Sequence, residues 1–317
     1  MIDTKQHHAQ NLHFPFYENY PKVFLSKLRW KLNDWKNSKL YILNYLCQRL
    51  TIKNLFNGIG DTLLLTVVIH ELKRRYPNIK LNIISAYPEL LDNLNGIFSI
   101  NSPETYWSVD FAYFKIRNDK LHDENLLNEF FKKIYIRGYD YSPSLVLSEK
   151  EKKDADQYLK GIKKPFITIN TNSKEQTKNW PSENWQLVVN ELKQHYTFIQ
   201  LGDQNEPYLR NVIRWAGKLS LRESCAILDK ASFHLGIVSF LMHVSHALNT
   251  KSIIIYGGRE TPENSGYEKN INIINPIECS PCWIHTTEGE ICPYNNKCLK
   301  EIAPETVLSK VKSLIYS

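Results

Sequence analysis

The sequence predicts an α/β protein built from two Rossmann-like halves, and three observations lead there. A short apolar run at residues 52–56 meets the glycine turn Gly58-Ile59-Gly60. After it comes a helical pattern in which Leu64, Val67, Val68, Glu71, Leu72 and Arg75 recur at three- and four-residue spacing up to Tyr76-Pro77. The same alternation of strand and helix restarts at Phe166 and continues towards the C-terminal segment. The 317 residues fit two domains of roughly 100–200 residues each. Two consecutive α/β halves joined by a linker read as two Rossmann-like domains facing across a cleft.

Hydrophobic residues make up 42% and aromatic residues 12%, enough for two packed cores and too much for wholesale disorder. The net charge of +7 favours anionic partners: nucleic acid, phosphorylated small molecules or an acidic membrane face. Nucleic acid ranks last, because the bases do not cluster with stacking aromatics beyond the first 50 residues. No apolar run resembles a signal peptide or approaches the roughly 20 residues of a membrane span, so a cytoplasmic protein is expected.

The elements follow in order. Residues 1–50 form a glycine-free leader in which Lys22, Lys27, Arg29, Lys31, Lys36 and Lys39 alternate with Phe24, Leu28, Trp30, Leu32 and Trp35. It reads as helix packed on the first domain. Peripheral contact with an anionic inner membrane is the second reading. The first domain, residues 51–163, has strands at 52–56 and 81–84, a helix near 89–95, weaker strand character at 110–116 and a helix at 125–134. A charged helical segment at 148–164 leads to the boundary. In the second domain, residues 164–303, strand 166–170 is followed by a polar loop, and Ser182 reads as the cap of a helix reaching His195. Then come strand 198–201 ending at Gly202-Asp203, helix 221–229, strand 233–236, helix 240–248 and strand 252–256 ending at Gly257-Gly258. A last helix occupies 304–317.

The stretch 56–63 organises the first half. Gly58 and Gly60 let backbone approach a ligand closely, and the helix start beyond them leaves amide N–H groups free for an anion or polar ligand. Asp61 stands at that helix start, where open α/β sheets bind ligands. A helix cap is the competing reading. The spacing is not the dinucleotide fingerprint, which argues against a nicotinamide cofactor. In the second half, Lys178 follows a strand end and offers a cation to a diphosphate, unless it is an ordinary exposed loop lysine. Ser239 reads as the cap of a helix carrying Phe240, Met242 and His243, whose start suits a phosphate. His243 reads equally as a structural histidine.

These stretches occur in one order: Asn57-Gly58-Ile59-Gly60-Asp61-Thr62-Leu63, Lys178-Asn179-Trp180-Pro181 with Asn184-Trp185, residues 239–248, Tyr256-Gly257, and Cys279-Ser280-Pro281-Cys282 with Cys292-Pro293 and Cys298-Leu299. In them the chain resembles the family 9 glycosyltransferases, the ADP-heptose:lipopolysaccharide heptosyltransferases and their autotransporter-modifying relatives, over roughly residues 51–317. The resemblance implies a GT-B fold, with the acceptor mainly on the first domain, the nucleotide-sugar on the second and a C-terminal helix returning to the first. It implies Asp61 as general base and Lys178 on the donor phosphates. Gly202, Ser239, Phe240, Met242 and His243 would hold an ADP-heptose-like donor. It implies a lipopolysaccharide-core or related glycan acceptor, a protein hydroxyl as the alternative, and no catalytic metal. A non-catalytic nucleotide- or glycan-binding member of the fold is a third reading. One place departs from the family pattern: Val238-Ser239-Phe240 stands where an aspartate, Ser or Thr, and Gly are usual.

Four of the six cysteines, Cys279, Cys282, Cys292 and Cys298, crowd one C-terminal segment. The C-x2-C pair and two further thiols make a candidate tetrahedral site for structural zinc or iron, with reduced thiols or a disulfide as the alternative. Cys47 and Cys225 read as ordinary buried thiols.

Overall fold

The computed structural model describes residues 39–316. The basic-aromatic leader therefore lies largely outside the described residues. The described chain opens with α1, Lys39–Tyr45, and alternates strands and helices from there.

The first sheet has the order β3-β2-β1-β4, from β1 Arg49–Asn54, β2 Lys80–Ile84, β3 Ile97–Ile100 and β4 Ser108–Phe111. The pairs β1–β2 and β2–β3 are parallel. Helix α2, Ile59–Arg75, follows β1 and buries Leu63, Leu64, Leu65, Val67, Val68, Ile69 and Leu72. It begins five residues before the apolar periodicity becomes visible in the sequence. Residues expected as a helix near 89–95 form one short 3-10 turn, Pro88–Leu91, and the strand expected at 110–116 ends at Phe111.

The second sheet is wholly parallel, with the order β10-β9-β8-β5-β6-β7. Its strands are β5 Phe166–Asn170, β6 Thr197–Gln200, β7 Val212–Arg214, β8 His234–Ile237, β9 Ser252–Ile255 and β10 Ile271–Ile273. Counted within this half, that is the doubly wound order whose direction reverses between β5 and β8, the place where such sheets bind ligands. The central strands β5, β8 and β9 are buried along their whole length, as helices on both faces require. One face carries Trp180, Trp185, Val188, Val189 and Leu192, the last four from α4 (Ser182–Leu192). The other face carries α5 (Leu221–Asp229), α6 (Phe240–Ala247) and residues of α3 (Glu149–Tyr158).

The C-terminal helix α7, Pro304–Tyr316, packs on α4. Its buried residues Val307 and Val311 join the cluster of Trp180, Trp185 and Val188, because their spacing lays one apolar stripe on α4. By compactness the chain forms two units. Among the described residues, one takes 39–53, Ile69–Ile84 and Gly96–Asp110. The other takes Asn54–Val68, Ser85–Asn95 and everything from Phe111. Every functional residue discussed below belongs to the second unit.

Two expected caps behave differently. The residue before α4 is Pro181, and Ser182 is already helical. Ser239 precedes α6, but its hydroxyl makes no capping bond. Among the free thiols, Cys225 is buried as expected, whereas Cys47 is exposed in a left-handed turn (φ 50°).

Candidate functional site

Asp61 sits in the first turn of α2 and is half-buried. The Tyr113 hydroxyl donates to its Oδ1 in a short hydrogen bond. Tyr113 follows β4 and is held by Phe56, with ring centroids 4.3 Å apart, and by Phe111 at 6.3 Å. The other carboxylate oxygen, Oδ2, lies 2.1 Å from where a side chain at residue 58 would begin, so any residue but glycine there would displace the carboxylate. Gly60 is required more mildly: a Cβ there would stand 3.1 Å from the His243 ring. The two glycines of the turn thus make room for the aspartate and the histidine.

Desolvation raises the Asp61 pKa to about 6, and the nearby Glu260 carboxylate works in the same direction, against the Tyr113 hydrogen bond and the Lys178 ammonium. Tyr113 is itself pushed well above the ordinary phenol range, by burial and then by the aspartate.

Lys178 closes a 3-10 turn after β5 and pairs with Glu260, Nζ to Oε1, at 2.6 Å. It is therefore no exposed loop lysine: the two side chains are only 14% and 9% exposed. Burial would raise the Glu260 pKa, but Lys178 and then Arg259 outweigh it and hold the acid ionised, near 2. Arg259 also reaches Glu175 at 3.1 Å. Glu175 accepts from the Thr286 hydroxyl at 2.8 Å and the Thr287 hydroxyl at 2.6 Å. The Gln176 amide donates to Thr286 at 2.8 Å, and the Thr177 hydroxyl to the Ile284 carbonyl at 3.2 Å. A side chain at Gly257 would collide with the Thr177 carbonyl. The loop that presents Lys178 is thus backed by the glycine turn after β9 and by the cysteine-bearing segment.

At the point where the second sheet reverses, Ser239 Oγ donates to Asn170 Oδ1 at 2.7 Å, joining the ends of β8 and β5. The hydroxyl is turned to that bond and caps none of the α6 amides. His243, one turn in, is buried, and its Nδ1 is 2.6 Å from the Tyr267 hydroxyl. Burial lowers its pKa to about 4, so it is neutral at physiological pH. Tyr267 is stacked in turn on His246, 3.9 Å between centroids. Phe240 is half-buried at the helix start.

Two expected donor residues are inner supports. Met242 is fully buried and accepts from the Tyr256 hydroxyl at 3.3 Å. Gly202 has φ +127° and packs on Glu206, whose carboxylate accepts from Asn170, Thr171 and Asn172. Val238 is buried with Met242, Tyr256 and Tyr267.

Tyr113, Glu175, Arg259, Glu260 and Tyr267 were missed in the sequence. Only Arg259-Glu260 carried a usable signal, as charged residues immediately after the Gly257-Gly258 strand end.

All four clustered cysteines are free thiols. Cys282 and Cys298 flank Gly258: a Cβ there would stand 3.1 Å and 3.5 Å from their sulfurs. The Asn296 amide donates to Cys292 Sγ at 3.3 Å, and backbone amides at Ile284, Gly258 and Leu299 serve the sulfurs of Cys282 and Cys298. Soft donors with N–H···S support suit zinc or iron in kind. Among the described residues, however, no three His, Cys, Asp or Glu side chains stand together in a set that could hold one metal ion.

The model of glycosyltransferase family 9 (heptosyltransferase) matches residues 118–292, more than half of the chain. The chain belongs to glycosyltransferase family 9. Two curated members are similar to it. The autotransporter heptosyltransferase TibC of Escherichia coli O78:H11 (strain H10407 / ETEC) is 29% identical over 136 residues, 40% of this chain and 33% of TibC. The autotransporter heptosyltransferase Aah of Escherichia coli is 26% identical over 175 residues, 48% of this chain and 44% of Aah. The matches thus span less than half the length of either curated relative.

Solved family 9 structures share the GT-B fold with this chain. The iron-containing, dodecameric TibC superposes with a TM-score of 0.69 at 18% identity, covering 84% of this chain and 76% of TibC. The family 9 enzyme of Veillonella parvula DSM 2008 gives 0.65 at 14% identity, covering 84% and 97%. A further TibC structure is in complex with ADP-D-beta-D-heptose.

Proposed function

We propose that this family 9 chain transfers a heptose-like sugar from an ADP-sugar to an acceptor hydroxyl. The observation that carries the reading is Asp61, a carboxylate with its pKa raised to about 6, under the electrostatic influence of the Lys178–Glu260 pair. A base with a pKa near the working pH is ionised yet still a competent proton acceptor.

In the proposed reaction the acceptor hydroxyl gives its proton to Asp61 as its oxygen bonds to the anomeric carbon. The bond from that carbon to the diphosphate oxygen breaks, and ADP leaves with the electron pair. Lys178 and the N-terminus of α6 meet the negative charge that builds on the diphosphate. Ser239 and neutral His243 shape the donor side, with the buried Met242 and the half-buried Gly202 as supports.

The acceptor favoured here is a protein hydroxyl, because both curated relatives are autotransporter heptosyltransferases. A lipopolysaccharide-core glycan, placed first by the sequence resemblance, becomes the competing acceptor. A structural zinc or iron on Cys279, Cys282, Cys292 and Cys298 would need these thiols drawn closer together than they stand here, and would then pin the segment behind the lysine loop. The reading keeps the reaction in the cytoplasm. Membrane contact through the leader falls on residues outside those described, although no described helix is long and apolar enough to cross a membrane.

Val238 favours a second reading, a member that binds nucleotide-sugar without transferring it. It occupies the family's usual aspartate position and lies in the core. Incubating purified protein with ADP-heptose and either an autotransporter passenger or a lipopolysaccharide-core glycan separates these readings. Sugar transfer to the passenger is expected. Transfer to the glycan alone would reverse the acceptor, and binding without ADP release would favour the second reading.

A further inference from the structure

A carboxylate can accept a proton at either oxygen, and the surroundings of Asp61 make its two oxygens unequal. Oδ1 is occupied by the Tyr113 hydroxyl. Oδ2 lies over Gly58, 2.1 Å from where any other residue would have its Cβ. The tyrosine is itself fixed by an aromatic wall of Phe56, Phe111 and, edge-on to Phe56, Phe114. It cannot follow a rotating carboxylate without leaving those rings.

We propose that Tyr113 is the positioning residue for Asp61: its hydroxyl ties Oδ1 and so fixes Oδ2, above Gly58, as the oxygen that receives the acceptor's proton. The proposal rests on the reading of Asp61 as base. No covalent step involves the tyrosine, which keeps its own proton throughout.

The groups acting on Asp61 come from several elements. Tyr113 follows β4, Lys178 follows β5, Glu260 follows β9 and His243 on α6 lies against Gly60. Of these, Tyr113 is the one in hydrogen-bond contact with the aspartate carboxylate, and it favours the charged form. Tyr141 acts electrostatically on Tyr113.

The test is Tyr113→Phe, which keeps the ring and its packing and deletes only the hydroxyl. Carboxyl-carbon NMR titration of aspartate-labelled protein, with the Asp61 signal assigned by its loss in Asp61→Asn, reads the carboxyl without needing turnover. Loss of a hydrogen bond to a charged group should move the Asp61 titration up by about one to two pH units. The acid limb of kcat/KM should move with it, while ADP affinity stays unchanged. An unaltered carboxyl titration in a folded Tyr113→Phe protein overturns the proposal. A shifted titration with an unshifted rate profile would remove Asp61 as the base and overturn the proposal together with that reading. Gly58→Ala tests the Oδ2 assignment: displacing that oxygen should lower kcat by about 10²-fold, and an unchanged kcat overturns it.

Discussion

Lys178 Nζ stands 2.6 Å from Glu260 Oε1, so the cation assigned to the donor diphosphate already has a buried anionic partner. A diphosphate approaching Lys178 must share the ammonium with that carboxylate or repel it. Glu260→Gln should therefore tighten ADP binding, by about tenfold in Kd, since one competing charge at close range is worth at least about 1.4 kcal/mol. Titration calorimetry measures it. Unchanged affinity would mean that Lys178 stays on residue 260 when nucleotide binds.

Lys178→Ala leaves Glu260 buried with Arg259 as its remaining cation. Removing one partner of a buried pair typically costs about 3–5 kcal/mol. Chemical denaturation should show a loss of that order together with weaker ADP binding. Full stability would contradict the burial of the pair.

The raised pKa of Asp61 has a consequence for stability with a definite sign. The fold favours the protonated form, so this stabilisation is complete below the ordinary aspartate range and is lost as pH rises through about 6. Asp61→Asn, which stays neutral and still accepts from Tyr113, should be more stable than the parent at pH 8 and equal to it near pH 4. A difference on the order of 1–2 kcal/mol is expected, allowing for partial solvent screening of a half-buried group. Melting curves at the two pH values check it, and a destabilised mutant at pH 8 would contradict the assigned shift.

The cysteine segment and the lysine loop share a network through Glu175, which accepts from Thr286, Thr287 and Arg259. Cys279→Ser should lower the melting temperature and weaken ADP binding several-fold through that network. Protein purified without chelator should carry about one zinc or iron per chain by elemental analysis. Metal-free protein with full activity would remove the metal from the account.

How much was legible in the sequence follows from the range of the interactions. Asp61, Lys178, Ser239 and His243 announced themselves because each stands beside a strand end or helix start that local pattern reveals. Tyr113 did not, because it reaches Asp61 from 52 residues away and its neighbourhood reads as ordinary aromatic core. Glu260 and Glu175 are likewise defined by partners that only folding supplies. The strands missed in the sequence, β3, β7 and β10, are all at sheet edges, three or four residues long and half-exposed. They lack the continuous apolar run that marked β5 and β9. The caps expected at Ser182 and Ser239 failed for another reason. Ser182 already lies inside its helix, and the Ser239 hydroxyl is turned by the tertiary fold to donate to Asn170 and not to accept from a helix amide.

The central claim is that Asp61 takes a proton during sugar transfer. Its most direct test is the rate of ADP formation from ADP-heptose in the presence of acceptor, measured for the parent chain and for Asp61→Asn with donor affinity measured alongside. The account predicts unchanged donor affinity and turnover lowered by about 10²–10⁴-fold. Equal turnover in the two proteins would contradict it.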